Sequence, residues 1–244
     1  MKKLRESSFV SLIAVFAAFN IVCDSLMGSP LLPFSGVWYS WIFMAEAING
    51  IILGPYAGFF SSLIGVMVGH SIYFRGSEEF LFTLGAPIGA MISGLIFRGR
   101  WKAASIYYLA LLGAYFITPV AWQLPLWGMW DTYLAFGCLL FLTIAARKWK
   151  DFQGTKSTGL RLLQIVALCT FIGLEADVLF RIFILVPCQT YQIIAPDVGV
   201  LQGWWAVGAV ETSTKAALST LATMMMAPPL IKAVRKMGLK LVED

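Results

Sequence analysis

The chain reads as an all-α bundle of transmembrane helices, a single domain over 1–244 with about eight spans and both termini on the cytoplasmic side. Three observations predict this: too few charges for a water-facing surface, apolar runs of span length, and basic residues collected in alternate loops. Of 244 residues, 59% are hydrophobic and 13% charged, and mean hydropathy is +0.79. A soluble domain carries roughly 25% charged residues. Half that fraction cannot cover a surface in water, so lipid must be the solvent for most of the chain. In lipid each segment satisfies its own backbone hydrogen bonds, which makes these runs helices rather than strands.

The predicted spans are 9–27, 38–53, 56–74, 80–97, 103–121, 131–146, 160–186 and 204–231. Each is near the ~20 residues needed to cross the hydrocarbon core. The second and sixth are short, and the last two are long enough to tilt or to extend past the membrane. Lys2, Lys3 and Arg5 precede the first run as in a signal peptide. No clean A-x-A-like cleavage site follows and the run has span length, which predicts an uncleaved helix. Most prolines, including Pro55, Pro119, Pro125, Pro187 and Pro196, fall at or near span ends, where a missing N–H costs little. Pro87 lies within the fourth span and predicts a kink.

With the N-terminus inside, the cytoplasmic segments are 1–8, 54–55, 98–102, 147–159 and 232–244. These segments and their edges hold every one of the 18 basic residues except Arg75, Arg181 and Lys215. That asymmetry follows the positive-inside rule and supports an even number of spans. It also explains the net charge of +5 without invoking nucleic acid. Trp38, Trp41, Trp122, Trp127, Trp130, Trp204 and Trp205 fall near the outer face. An aromatic belt accounts for this, and a stacking platform for a planar ligand is the alternative.

Charges inside spans are costly and mark function or pairing. The seventh span carries Glu175, Asp177 and Arg181, and the eighth carries Glu211 and Lys215. Asp177–Arg181 and Glu211–Lys215 are each four apart, so each pair shares a helix face. Two readings stand together: internal ion pairs that hold the last two helices, and a polar cavity in which these groups meet a ligand. Lys215 is about 16 Å below the outer end of its span at 1.5 Å per residue. Asp24, Glu46 and His70 are further candidates; Asp24 and His70 lie near outer ends, where water reaches them, while Glu46 sits inside the second span.

Other chemistry finds little footing. His70 is the single histidine, and the four cysteines, Cys23, Cys138, Cys169 and Cys188, lack metal-ligand spacing. No metal or cofactor is expected. A G-x-x-x-x-G-K-[ST] phosphate loop, an H-E-x-x-H motif and a nucleophile elbow are all missing, so neither ATP hydrolysis by that loop nor enzymatic catalysis is expected. Glycines recur at 50, 54, 58, 65, 85, 89 and 94, the composition of close helix packing. Ala14-x-x-x-Ala18 is either packing of the same kind or a docking stripe for a partner helix.

Four features together carry a family resemblance: Ala14-x-x-x-Ala18, the turn Leu53-Gly54-Pro55-Tyr56-Ala57-Gly58, the acidic stretch Gly173-Leu174-Glu175-Ala176-Asp177, and a last helix with Glu211-x-x-x-Lys215 that closes on Ala227-Pro228-Pro229-Leu230-Ile231-Lys232. The chain resembles the S components of energy-coupling factor (ECF) transporters, archaeal-type members in particular. The resemblance implies a plasma-membrane subunit that captures a vitamin or similar micronutrient and is energised by a transmembrane coupling subunit and two ATPase subunits. It implies partner docking through Ala14 and Ala18 and a ligand near the outer face, under the loop Gly28–Val37. The family core has six helices; the hairpin 103–146 would be an extra pair. The expected site residues are Trp38, Glu175, Asp177, Arg181, Glu211 and Lys215, with Trp122 or Trp204 stacking on the ligand. The rival expectations are a proton-driven secondary transporter with Glu46, Glu175 and Asp177 as carriers, and a membrane scaffold of related fold.

Overall fold

The computed structural model describes residues 2–26, 40–74, 76–148, 154, 157–195 and 197–236. Among them regular structure is helical throughout, without a β-strand. Trp38, the loop Gly28–Val37, Arg75, Trp149 and most of the polar linker 147–159 lie outside the described residues.

All eight apolar runs form helix. In chain order the α-helices among the described residues are α1 (Lys2–Ser25), α2 (Glu46–Leu53), α3 (Pro55–Ile72), α4 (Gly85–Phe97), α5 (Trp101–Ile117), α6 (Trp130–Lys148), α7 (Gly159–Leu185), α8 (Tyr191–Ile194), a single turn between the last two runs, and α9 (Val198–Lys236). Four stretches are long and apolar enough to cross a membrane: Glu79–Phe97, Leu126–Ile144, Gly159–Leu185 and Val198–Lys236. Phe9–Ser25, Ile42–Leu53 and Trp101–Ile117 are apolar but shorter.

Three runs are broken, the fifth only at its end, where α5 stops at Ile117 and a 3₁₀ segment, Pro119–Gln123, follows. The second divides into a 3₁₀ turn, Ile42–Met44, and α2, whose eight residues extend only about 12 Å. The fourth divides into a 3₁₀ segment, Ser77–Phe82, and α4. Pro87 therefore kinks nothing. It stands in the first turn of α4, where its missing N–H has no intrahelical acceptor to lose. The last helix is longer than expected and continues through Pro228 and Pro229 to Lys236.

The pattern of exposure suits lipid. Ile106, Leu109, Ile117, Phe141, Ile144, Leu221 and Met225 are turned outward, while Asn20, Glu46, Asn49, Glu175 and Glu211 are buried. An apolar exterior of this extent would be an aggregation liability in water. Polar groups turned inward avoid the cost of facing hydrocarbon.

Backbones meet closely where the glycines recur. α2 crosses α4 and α4 packs along α7, with α1 against α3 and α7 against α9. A Cβ on Gly50 would stand 1.7 Å from the carbonyl oxygen of Ala90, and one on Gly65 would stand 2.2 Å from Asn20 Cβ. Gly54 adopts φ 103°, a left-handed conformation, and Pro55 begins α3 immediately after it. Arg98 Nη1 closes this corner by donating to the carbonyls of Gly50 at 3.1 Å and Gly94 at 3.3 Å. Asn49 Nδ2 donates to Asn20 Oδ1 at 2.8 Å and ties α2 to α1.

Gly50→Ala is expected to destabilise the protein by about 1–3 kcal/mol through overpacking. Gly113→Ala, with nothing within 4 Å of the added carbon, is expected to be neutral or to stabilise by up to about 1 kcal/mol through helix propensity. Thermal unfolding of the two purified variants in one detergent checks the contrast.

Candidate functional site

The intramembrane charges gather where α2, α4, α6, α7 and α9 converge. Asp177 is placed directly against the start of α4, since a Cβ on Gly85 would fall 1.8 Å from Asp177 Oδ1. One turn on, Gly89 makes room for the Glu46 carboxylate and the Gly173 carbonyl together. Glycine is thus what lets α4 admit two carboxylates between itself and its neighbours.

Arg181 forms a two-pronged pair with Asp177. Its Nε donates to Oδ1 at 2.7 Å and its Nη2 to Oδ2 at 3.1 Å. This geometry fixes the guanidinium in register with the carboxylate plane. Lys215 Nζ lies 3.5 Å from Glu211 Oε1 and 6.0 Å from the centre of the Phe43 ring. The two pairs expected from the i, i+4 spacing are therefore present, one on each of the last two long helices.

A partly enclosed cavity of about 410 Å³ opens beside them. Asp177, Arg181, Lys215 and Trp204 line it, joined by Phe43, Phe82, Leu174 and Trp205. Its volume is within the ~300–1,000 Å³ of small-molecule sites. Glu175 and Glu211 are buried behind the wall rather than on it. Trp122 does not join the site: it is 73% exposed, and its Nε1 donates to the Phe116 carbonyl at 2.8 Å. With Trp127 and Trp130, also outward, it fits the belt reading of the tryptophans.

The cavity also brings in residues that sequence spacing did not single out. Asp131, at the start of α6, is buried on its wall. Thr132 donates its backbone N–H to Asp131 Oδ1 at 2.9 Å and its hydroxyl to Glu175 Oε2 at 2.9 Å. The hydroxyls of Thr212 and Ser213 of α9 are shared between Asp131 Oδ2 and the carbonyls one turn back, of Gly208 and Ala209, each at 2.7 Å. Asp24 and His70 are buried, not wet: His70 Nε2 lies 3.6 Å from Asp24 Oδ2 and 3.4 Å from Glu79 Oε2, and all three line the same cavity. The one available signal was their register. Asp24 and His70 each stand inside a helix that sequence alone could not orient.

Glu46 is fully buried, and neither of its carboxylate oxygens has a hydrogen-bond partner among the described residues. It is attracted by the charges of Arg181 and Lys215 and repelled by those of Asp177 and Glu175. Among the described residues no group of His, Cys, Asp or Glu side chains is arranged to hold a metal ion. The four cysteines are all free thiols. On α1, Ala14 and Ala18 are exposed, as are Val10, Val15 and Val22.

No family model, no curated protein and no solved structure matches this chain.

Removing Asp177 leaves a guanidinium in a low-dielectric setting, whereas removing both partners does not. Asp177→Ala is expected to cost about 1–3 kcal/mol, below the ~3–5 of a fully enclosed pair, because the Arg181 side chain is 31% exposed. The double variant with Arg181→Ala is expected to cost less than the two single changes added together. A double-mutant cycle on denaturant unfolding in detergent measures the coupling.

Proposed function

We propose that this chain captures a small nutrient at the membrane and hands it to partner ATPase subunits, as the substrate-binding S component of an ECF-type importer. One observation carries the reading: a cavity of about 410 Å³ whose wall holds the Asp177–Arg181 pair and Lys215 next to Trp204, Trp205 and Phe43. A protein that needed charges only as glue would close around them, whereas here they face a space of ligand size. Aromatic walls with a few fixed polar groups are the usual make-up of a site for small amphipathic molecules.

The membrane arrangement follows from the same reading. The four long helices cross the membrane, and α1, α3, α5 and the broken segment Ile42–Leu53 complete eight passes with both termini in the cytoplasm. The basic residues at the C-terminal end of α9, Lys232, Arg235 and Lys236, then face inward. The exposed Ala14 and Ala18 leave α1 a shallow stripe against which a helix of a coupling subunit can lie. The energy comes from the partners' ATPases, since this sequence carries no phosphate loop.

Glu46 favours a second reading. A buried carboxylate with no hydrogen-bond partner among the described residues, in the field of Asp177 and Glu175, suits a proton carrier in a self-sufficient secondary transporter.

Two measurements test these. Mass spectrometry of small molecules released from the detergent-purified protein is expected to find one compound in near-stoichiometric amount. Lys215→Ala is expected to lower its affinity at least tenfold while the variant stays folded, and unchanged calorimetric affinity would remove Lys215 from the site. Uptake into liposomes holding this chain alone is expected to be nil with or without a pH gradient; accumulation driven by the gradient would replace the importer reading with the proton-coupled one.

A further inference from the structure

We infer that the ligand of this cavity is an organic cation, an ammonium or a charged nitrogen heterocycle on an apolar body, with Asp131 as its counter-ion. The inference rests on the capture reading above and sharpens it.

Most of the charged side chains at this junction have a partner of opposite sign. Asp177 has Arg181, and Glu211 has Lys215. Asp24 and Glu79 share the single imidazole of His70, which when protonated offsets one of them, and Glu46 is buried away from the cavity wall. Asp131 has no cation of its own among the described residues. Its partners are the Thr132 N–H and the hydroxyls of Thr212 and Ser213, all neutral donors. Behind it, Glu175 is fully buried; its Oε2 accepts from the Thr132 hydroxyl, and its Oε1 has no hydrogen-bond partner among the described residues.

Two carboxylates thus sit on either side of one threonine in a low-dielectric interior, with no base paired to them among the described residues. Holding such groups ionised costs several kcal/mol each unless a positive charge offsets them. Asp131, 1% exposed, lines the cavity, so a charge brought in by a ligand can reach it. The neutral donors orient the carboxylate without neutralising it, which is how a site is held ready for a cation that comes and goes. The remaining wall near it is apolar and aromatic: Met129, Leu174, Val178, Trp204 and Trp205. Indole faces attract cations and accept flat apolar bodies. An anionic ligand would meet an excess of carboxylates, since Asp24, Glu79, Asp131 and Asp177 line the space against Arg181, Lys215 and His70, each already matched.

The test uses the purified full chain in detergent with four probes of similar shape: benzyltrimethylammonium, phenethylammonium, neutral 2-phenylethanol and anionic phenylacetate. Binding is read by isothermal calorimetry and by tryptophan fluorescence. The two cations are expected to bind saturably and the other two at least tenfold more weakly. Asp131→Asn keeps the hydrogen-bond acceptor and loses the charge. It is expected to weaken the cations roughly thirtyfold or more, as loss of a buried counter-ion does. Should that variant fail to fold, the selectivity of the unaltered protein decides alone. Preference for phenylacetate or phenylethanol, or undiminished cation binding by folded Asp131→Asn, overturns the cation assignment and leaves the capture reading standing. No saturable binding by any probe overturns the cation assignment, and the compound released from the purified protein decides the capture reading.

Discussion

The whole arrangement depends on keeping charge away from lipid. A carboxylate or ammonium facing hydrocarbon costs more than any single packing contact returns, so each of the intramembrane charges is turned toward the same interior junction. That requirement fixes the rotation of α2, α6, α7 and α9 about their own axes, because each carries at least one group that has to face inward: Glu46, Asp131, Asp177 and Lys215. The apolar remainder of each helix is then free to face outward without penalty. Hydrophobicity alone cannot orient helices in a lipid solvent, since chain tails and leucine side chains are equally apolar. Polar side chains do it instead.

The second constraint is distance. Ion pairs and hydroxyl networks act over a few ångströms, so the helices that carry them have to approach within that reach. Gly85 and Gly89 on α4 provide the approach, the one admitting Asp177 and the other Glu46. Tyr107 and Tyr108 on α5 add a clamp from the far side by donating to the carbonyls of Ala176 at 2.7 Å and Ile172 at 2.6 Å, on either side of Glu175. The segment of α7 that bears the acidic residues is therefore held from two directions while its other face is left to the cavity.

Much of this was legible in the sequence and some was not, for one physical reason. Length and apolarity located all eight helical runs, and the turn at Gly54-Pro55 followed from residues whose backbone preferences are strong. The i, i+4 spacing gave Asp177–Arg181 and Glu211–Lys215, because within one helix spacing fixes the face. What spacing cannot give is the face relative to other helices. Runs that are apolar all round carry no stripe to orient them. From spacing alone Asp24 and His70 therefore read as wet and Trp122 as a stacking residue, and nothing distinguishes Asp131 from any other residue at the end of a span. The break between the 3₁₀ segment Ser77–Phe82 and α4 was hidden because Pro87 is compatible with a kink or with a helix start.

The 39-residue final helix joins features at opposite ends of the molecule. At 1.5 Å per residue it extends nearly 60 Å, about twice the thickness of the hydrocarbon layer. Lys215 sits on it near the middle, and Arg235 and Lys236 at its tip. Pro228 and Pro229 lie between them and withhold two amide donors from the ladder, so the carbonyls of Met224 and Met225 lose their usual partners there. The helix is continuous through this point but lacks two rungs of its ladder there, so bending it at the prolines costs less than elsewhere along its length.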